Sequence, residues 1–364
     1  MKKGTAIALI IAAIMLIVGA TLLNFARGEG ESLADVFRTG FHTGSVVSVG
    51  SVDVGDQTGY TVLRSGEQSF AAAEVKSLEI NWINGAVKLE PWDGASLTLS
   101  EKSERKLSED ECLRWKLTDG KLSVLICANG TRELPEKTLT VLVPREWCAE
   151  TLAVDTTSAD VTARELKVSG TLLLSSTSGD LTATGCACAE LRLENTSGDQ
   201  RAETTAVSGL LTLESTSGYQ CVIGCACAEL RLDSTSGDQR VDASAVSGEA
   251  RLHSTSGTRD LRALSAKTVT VDTNSGDTIF DGAAESLRLD STSGKAELRF
   301  TEPPAEVSVD TNSGDVTLSF PKGTEIDLHQ DTNSGKVSVQ GHISYGGIPV
   351  TVETTSGDIT IREH

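Results

Sequence analysis

A tripeptide, Thr or Asn followed by Ser-Gly, recurs ten times between Thr177 and Gly357, and its glycines stand 18 to 22 residues apart. An imperfect eleventh copy, Thr157-Ser158-Ala159, lies 20 residues before the first glycine. Units of this size cannot bury a core alone, but stacked units share a continuous one. The period therefore predicts a solenoid, a rod with long sides rather than a globule around a cleft.

One unit shows how a coil is made. In Leu191-Arg-Leu-Glu-Asn195, apolar and polar residues alternate, the period-2 pattern of a half-buried strand. Thr196-Ser197-Gly198 then turns the chain, because Gly accepts φ > 0 and the hydroxyls can bond nearby backbone. A second short segment such as Gln239-Arg-Val-Asp-Ala243 follows, with a second corner after it. Two or three short strands per coil, each in parallel register with its copies, give eleven coils a length of about 50 Å. Gly185-Cys-Ala-Cys-Ala-Glu-Leu-Arg-Leu193 returns 39 residues on, at 224–232, so coils alternate between two types. Leu191, Leu193, Leu230, Leu232, Leu287 and Leu289 are expected to face inward, and the Ser-Gly corners to form one column along a parallel β-helix over 154–361.

Only 4% of the residues are aromatic, which suits the thin aliphatic layers of a narrow solenoid. The net charge of −19 argues against nucleic acid and anionic membrane surfaces as partners. Residues 6–23 carry no charge and follow Lys2 and Lys3, the pattern of a membrane span with its N-terminus in the cytoplasm. The rival reading is a cleaved signal peptide ending near Val18-Gly19-Ala20. Four segments follow: a signal-anchor helix at 1–26, a flexible stalk at 27–74, an antiparallel β cap at 75–150 and a parallel β-helix at 151–364.

The cap block reads as strands near 77–82, 86–90, 97–101, 113–117, 122–127 and 139–143. Asp119-Gly120 is a type I′ hairpin signal, and a turn centred there pairs residues whose numbers sum to 239. Cys112 would then face Cys127 within disulfide reach, and an exported location would permit the bond. The order Ser77-Leu-Glu-Ile-Asn-Trp-Ile-Asn-Gly-Ala-Val-Lys-Leu-Glu-Pro-Trp92, then Leu139-Thr-Val-Leu-Val-Pro144, then repeated Ser-Gly-Asp units resembles the DUF4097 family. Its members are bacterial envelope proteins described as candidate adhesins. The resemblance runs from about residue 75 to the C-terminus. It implies a parallel β-helix on the outer side of a membrane and brings no catalytic residues with it.

Several constellations invite chemistry. Cys186, Cys188, Cys225 and Cys227 suggest a metal cluster, but the two pairs lie two coils apart, about 9.6 Å, too far for one tetrahedral site. They read as core or corner filling. Cys221 stands where other coils carry Arg201 and Arg240, a surface position. Asp155, Glu194, Glu214, Asp233, Asp272, Asp290, Asp310, Asp331 and Glu353 all lie four residues before a column position, so stacking would put them in one row. Arg192, Arg231, Arg251 and Arg288 lie two residues earlier and can neutralise it; calcium bridging is the alternative. After the glycines, Asp277, Lys295, Asp315, Lys336 and Asp358 alternate in sign, which would place each lysine between two acids. Ser103-Glu-Arg-Lys106 matches Ser-X-X-Lys without the companion motifs. His42, His253, His329, His342 and His364 share no spacing with a nucleophile. No catalytic, cofactor or metal residues are assigned. The sequence points to a membrane-anchored, outward-facing adhesin-like or scaffold module. Its partners would be a wall polymer, an envelope protein or another copy of itself. An envelope-stress sensor working through a membrane partner is the alternative, and a carbohydrate-active enzyme a weaker one.

Overall fold

The computed structural model describes residues 54–131 and 134–364. They form an all-β solenoid of about eleven turns with coils near 20 residues. Among them no helix is long and apolar enough to cross a membrane. The expected span at 6–23 lies outside the described residues.

From residue 151 onward the coils pair in parallel. Leu172 sits beside Leu191, Leu191 beside Leu211, and Leu211 beside Leu230. A coil consists of a long strand such as Ala187–Asn195, a Ser-Gly corner, a short strand such as Gln200–Glu203, and a second corner. The six leucines expected inward are each no more than 1% exposed. Near the C-terminal end the core holds three rings: Phe300 and Phe320 stack with centroids 5.3 Å apart, and Phe280 lies tilted against Phe300 at 5.4 Å.

The corners stack in one column, starting at Ala159. A Cβ on Gly257 would lie 2.2 Å from the Gly237 carbonyl oxygen, and Gly257 has φ +118°. Close approach and left-handed backbone both demand glycine there. The second corner also turns left-handed, but over mixed residues: Glu165, Gly185, Thr204, Gly224 and Ala243 all have φ between 46° and 65°. The 39-residue alternation is the alternation of glycine and non-glycine at this corner.

Both ends depart from sequence order. At the N-terminal end, Ser77–Trp82 pairs in parallel with Thr151–Thr156 on one edge and with Lys121–Leu125 on the other. Gly85–Trp92 likewise lies between Asp160–Arg164 and Lys137–Pro144. The first coil is thus tucked beneath an outer coil that comes later in the chain. At the C-terminal end, Ile348–Ser356 lies between Glu306–Ser313 and Glu325–Ser334. Ile359–Glu363 lies between Val316–Phe320 and Val337–Gln340. The last coil is tucked in, and the one before it becomes the end of the rod.

The expected antiparallel cap is therefore only partly antiparallel. Four of its strands are coils of the solenoid, because their alternating apolar faces fit the same core. The antiparallel part is Ser96–Ser103 against Glu67–Ala71 and Lys137–Pro144, together with the hairpin Arg114–Thr118 and Lys121–Leu125. The hairpin has the expected register, from Thr118 opposite Lys121 to Arg114 opposite Leu125. Asp119 and Gly120 have φ 52° and 84°, both positive as a type I′ turn requires. The ladder ends at Arg114 and Leu125, and beyond it Ala128 donates to the Asp110 carbonyl, out of the hairpin register. Cys112 and Cys127 are free thiols beyond its end. Part of the expected stalk is folded. Thr61–Val62 pairs with Arg114–Thr118, and Leu63 and Phe70 are buried.

Candidate functional surface

The acidic row expected from the repeat is in register, but Ser175 interrupts it between Asp155 and Glu194, and His253 between Asp233 and Asp272. Glu194 faces Glu214, Glu214 faces Asp233, and Asp272 faces Asp290. Asp290 faces Asp310, which faces Glu353, and Glu353 faces Asp331. Arginines neutralise part of it: Arg192 reaches Glu194 at 3.0 Å, Arg288 reaches Asp290 at 2.9 Å, and Arg231 pairs with Asp233. Arg251 crosses one coil to Asp272 at 3.4 Å. Glu214 faces two acids and is partly desolvated, and both raise its pKa, desolvation more. Among the described residues no group of three or more His, Cys, Asp or Glu is arranged to hold a metal ion.

The column after the glycines is a second ladder, with a bond sequence reasoning missed. The Asp180 carboxylate accepts from the Asp199 backbone N–H at 2.8 Å, and the Asp277 carboxylate from that of Lys295 at 2.9 Å. Each carboxylate is anchored to the next coil by backbone. Lys295 stands between Asp277 and Asp315, as expected. Lys336 does not stand between two acids. Asp358 donates its N–H to Asp315 and accepts from Lys336, so the order is Asp315, Asp358, Lys336. The tucked last coil causes this reversal. The corner serines bridge coils as well: Ser217 donates to the Thr196 carbonyl and Ser236 to that of Thr216.

Inside the wall runs a buried polar ladder. Gln220 Nε2 donates to Gln200 Oε1 at 3.1 Å, and Gln239 Nε2 to Gln220 Oε1 at 2.9 Å. The next coil puts Arg259 in this column, fully buried. Its guanidinium donates to Thr273 Oγ1, Thr278 Oγ1 and the Ser275 and Gly276 carbonyls. Burial lowers its pKa to about 10, so it stays charged at neutral pH. The signal was present as Gln at the same repeat position in three coils.

Cys186, Cys188, Cys225 and Cys227 pack in the core and corners. Val207 separates Cys188 from Cys227 in the column. Burial raises Cys186 to about 11 and Cys188 and Cys227 to about 12, so these are inert thiols. Cys221 is not exposed. It does stand between Arg201 and Arg240 in the ladder, but it is only 2% exposed. A thiol is short, and the Tyr219 hydroxyl and the long arginines beside it cover it. Ser103 of the Ser-X-X-Lys match donates to the Glu136 carbonyl. On the cap, Trp92, Asp93, Arg145 and Trp147 line an open depression of about 640 Å³. Its polar groups are already satisfied: Arg145 holds Asp93 at 3.0 Å and Glu165 at 2.7 Å, and the Trp147 indole donates to the Val75 carbonyl.

The arrangement is a rod with repeating polar ladders along its length. The chain belongs to the Toastrack DUF4097 family, whose model matches residues 75–263 and 209–362. No curated protein matches it. Solved structures similar to it include two crystal structures. One is a candidate cell adhesion protein from Clostridium sporogenes, 9% identical, with TM-score 0.23, covering 82% of this chain and 98% of its own. The other is a candidate adhesin from Bacteroides fragilis, 12% identical, with TM-score 0.30, covering 82% and 96%.

Proposed function

We propose that this chain is an adhesin-like scaffold of the bacterial cell envelope, held at the membrane by residues 6–23 with the rod outside. The observation that carries the reading is the repetition of the surface. Arginine–carboxylate pairs, corner hydroxyls and anchored aspartates recur at one coil spacing. Such a surface suits a long partner that itself repeats, gripped by many weak contacts whose sum is large. A wall polymer has that form. Arginine already pairs with Glu194, Asp233, Asp272 and Asp290 of the acid row, so binding should not require calcium.

The test is co-sedimentation of the purified full-length chain with isolated cell wall, with calcium and with chelator. Saturable binding in both, weakened by Arg231→Glu and Arg288→Glu together, is the expected result. No sedimentation above a control of equal net charge would end the proposal.

A further inference from the structure

The two ends of the rod are unlike. The N-terminal end is covered by Ser96–Ser103, Glu67–Ala71 and the hairpin. The C-terminal end is open. Its last coil, Glu325–Ser334 and Val337–Gln340, pairs along its inner edge with the tucked coil. On the outer edge only Glu325 and Ile326 are covered by a strand, His342–Ile343. From Asp327 to Ser334 the outer edge meets no strand among the described residues, leaving a row of N–H and C=O groups ready to pair. Here too the core is open. Val337 is 37% exposed, whereas Val316 and Ile359 beside it in the stack are fully buried. The described residues with exposed large apolar side chains, Val337, Ile343 and Tyr345, all lie at this end.

We infer that the open coil is the contact between two copies of this chain, joined end to end by antiparallel pairing of Glu325–Ser334 with itself about Gln330. Three observations select a second copy. The first is register. The open stretch 327–334 is nearly centred on Gln330, so self-pairing there uses almost all of it and avoids His342–Ile343. The second is polar complementarity, with a hydrogen-bonding imidazole set against each Asp331. In that register residues whose numbers sum to 660 oppose each other, so His329 meets Asp331 of the partner on both sides of the axis. Asp327 meets Asn333, and Gln330 meets its own copy, whose amide can both donate and accept. No two acids face each other, although opposed like charges are the main hazard in a cross-strand pair. The third is the distribution of charge. Over 321–347, Lys322 and Lys336 nearly balance Glu325, Asp327 and Asp331, leaving one net negative charge where the whole chain carries −19. Two copies meet where they repel least. The same surface serves both partners and the other ends are covered, so the assembly closes at two.

The test is native mass measurement of the detergent-solubilised full chain and its charge variants. His329 and Asp331 are both exposed, so neither substitution threatens the fold. The wild type should be a dimer of twice 38.2 kDa. His329→Asp should weaken it at least tenfold by setting acid against acid. The double variant His329→Asp/Asp331→Lys should restore it, because the introduced acid of each copy would then meet the introduced lysine of the other. A wild type that stays monomeric at tens of micromolar, or binds only another protein at this end, overturns the inference. So does a dimer indifferent to His329→Asp, such as one joined through residues 6–23, or a double variant that fails to recover.

Discussion

Lys137 is a cation with no access to water, and its surroundings explain why it is tolerated. Its ammonium has three donors and three acceptors: Glu101 Oε1 at 2.6 Å, the Glu111 carbonyl at 2.5 Å and the Ile126 carbonyl. The Trp82 ring lies 5.1 Å away. Burial lowers the lysine pKa while Glu101 opposes the shift. Lys137→Met should cost about 3–5 kcal/mol in urea unfolding, because it strands Glu101 and two carbonyls without a cation. Nearby, Glu111 accepts from Arg105 and from the Ser108 N–H, and its pKa falls to about 2 from an ordinary 4.5. A depressed carboxylate contributes its full stability above about pH 4.5 and loses it as pH falls towards 2. Glu111→Gln should therefore flatten the acid side of the stability curve between about pH 4.5 and 2, measured against wild type, with little pH-dependent difference above about pH 5.

At the scale of a coil, the corner column is the least forgiving element. Gly257→Ala places a methyl against the Gly237 carbonyl in a left-handed backbone. The strain alone is worth about 1–3 kcal/mol, and the clash adds to it. A thermal melt should fall by several degrees, and one within a degree of wild type would show that the column yields. Much of the coil was legible in the sequence. The Ser-Gly period specified the stack, the alternation specified the inward leucines, and Asp119-Gly120 specified the hairpin register. Other features left no such mark. Cys221 reads as exposed because period-2 logic gives direction, not the reach of neighbouring side chains. Lys137 and Glu101 look like ordinary surface charges because their pairing is 36 residues apart in the chain. The acid–lysine order near Lys336 differs from the expected alternation because a repeat specifies which residues can stack, not the sequence in which coils do.

That last point governs the whole molecule. At each end the outermost coil is not the one nearest the terminus. Any two coils of a regular solenoid present compatible edges, so the repeat pattern alone cannot choose between consecutive and tucked order. Deleting 348–364 tests how the end is held. The coil Glu325–Ser334 and Val337–Gln340 would lose its strand partner along the inner edge. Amide exchange across 325–340 should then rise to that of an unfolded chain, while coils below residue 300 keep their protection. Retained protection across 325–340 would mean that the coil can dock directly on Glu306–Ser313 in consecutive order.

The tucked last coil also sets a schedule for biogenesis. Residues 348–364 leave the ribosome after residues 306–334, yet their place lies between two strands in that earlier stretch. The slot between Glu306–Ser313 and Glu325–Ser334 must stay open until Ile348–Ser356 has been made. Most of the rod can assemble coil by coil as it emerges, but its far end can close only once residues 348–364 are free to enter the slot.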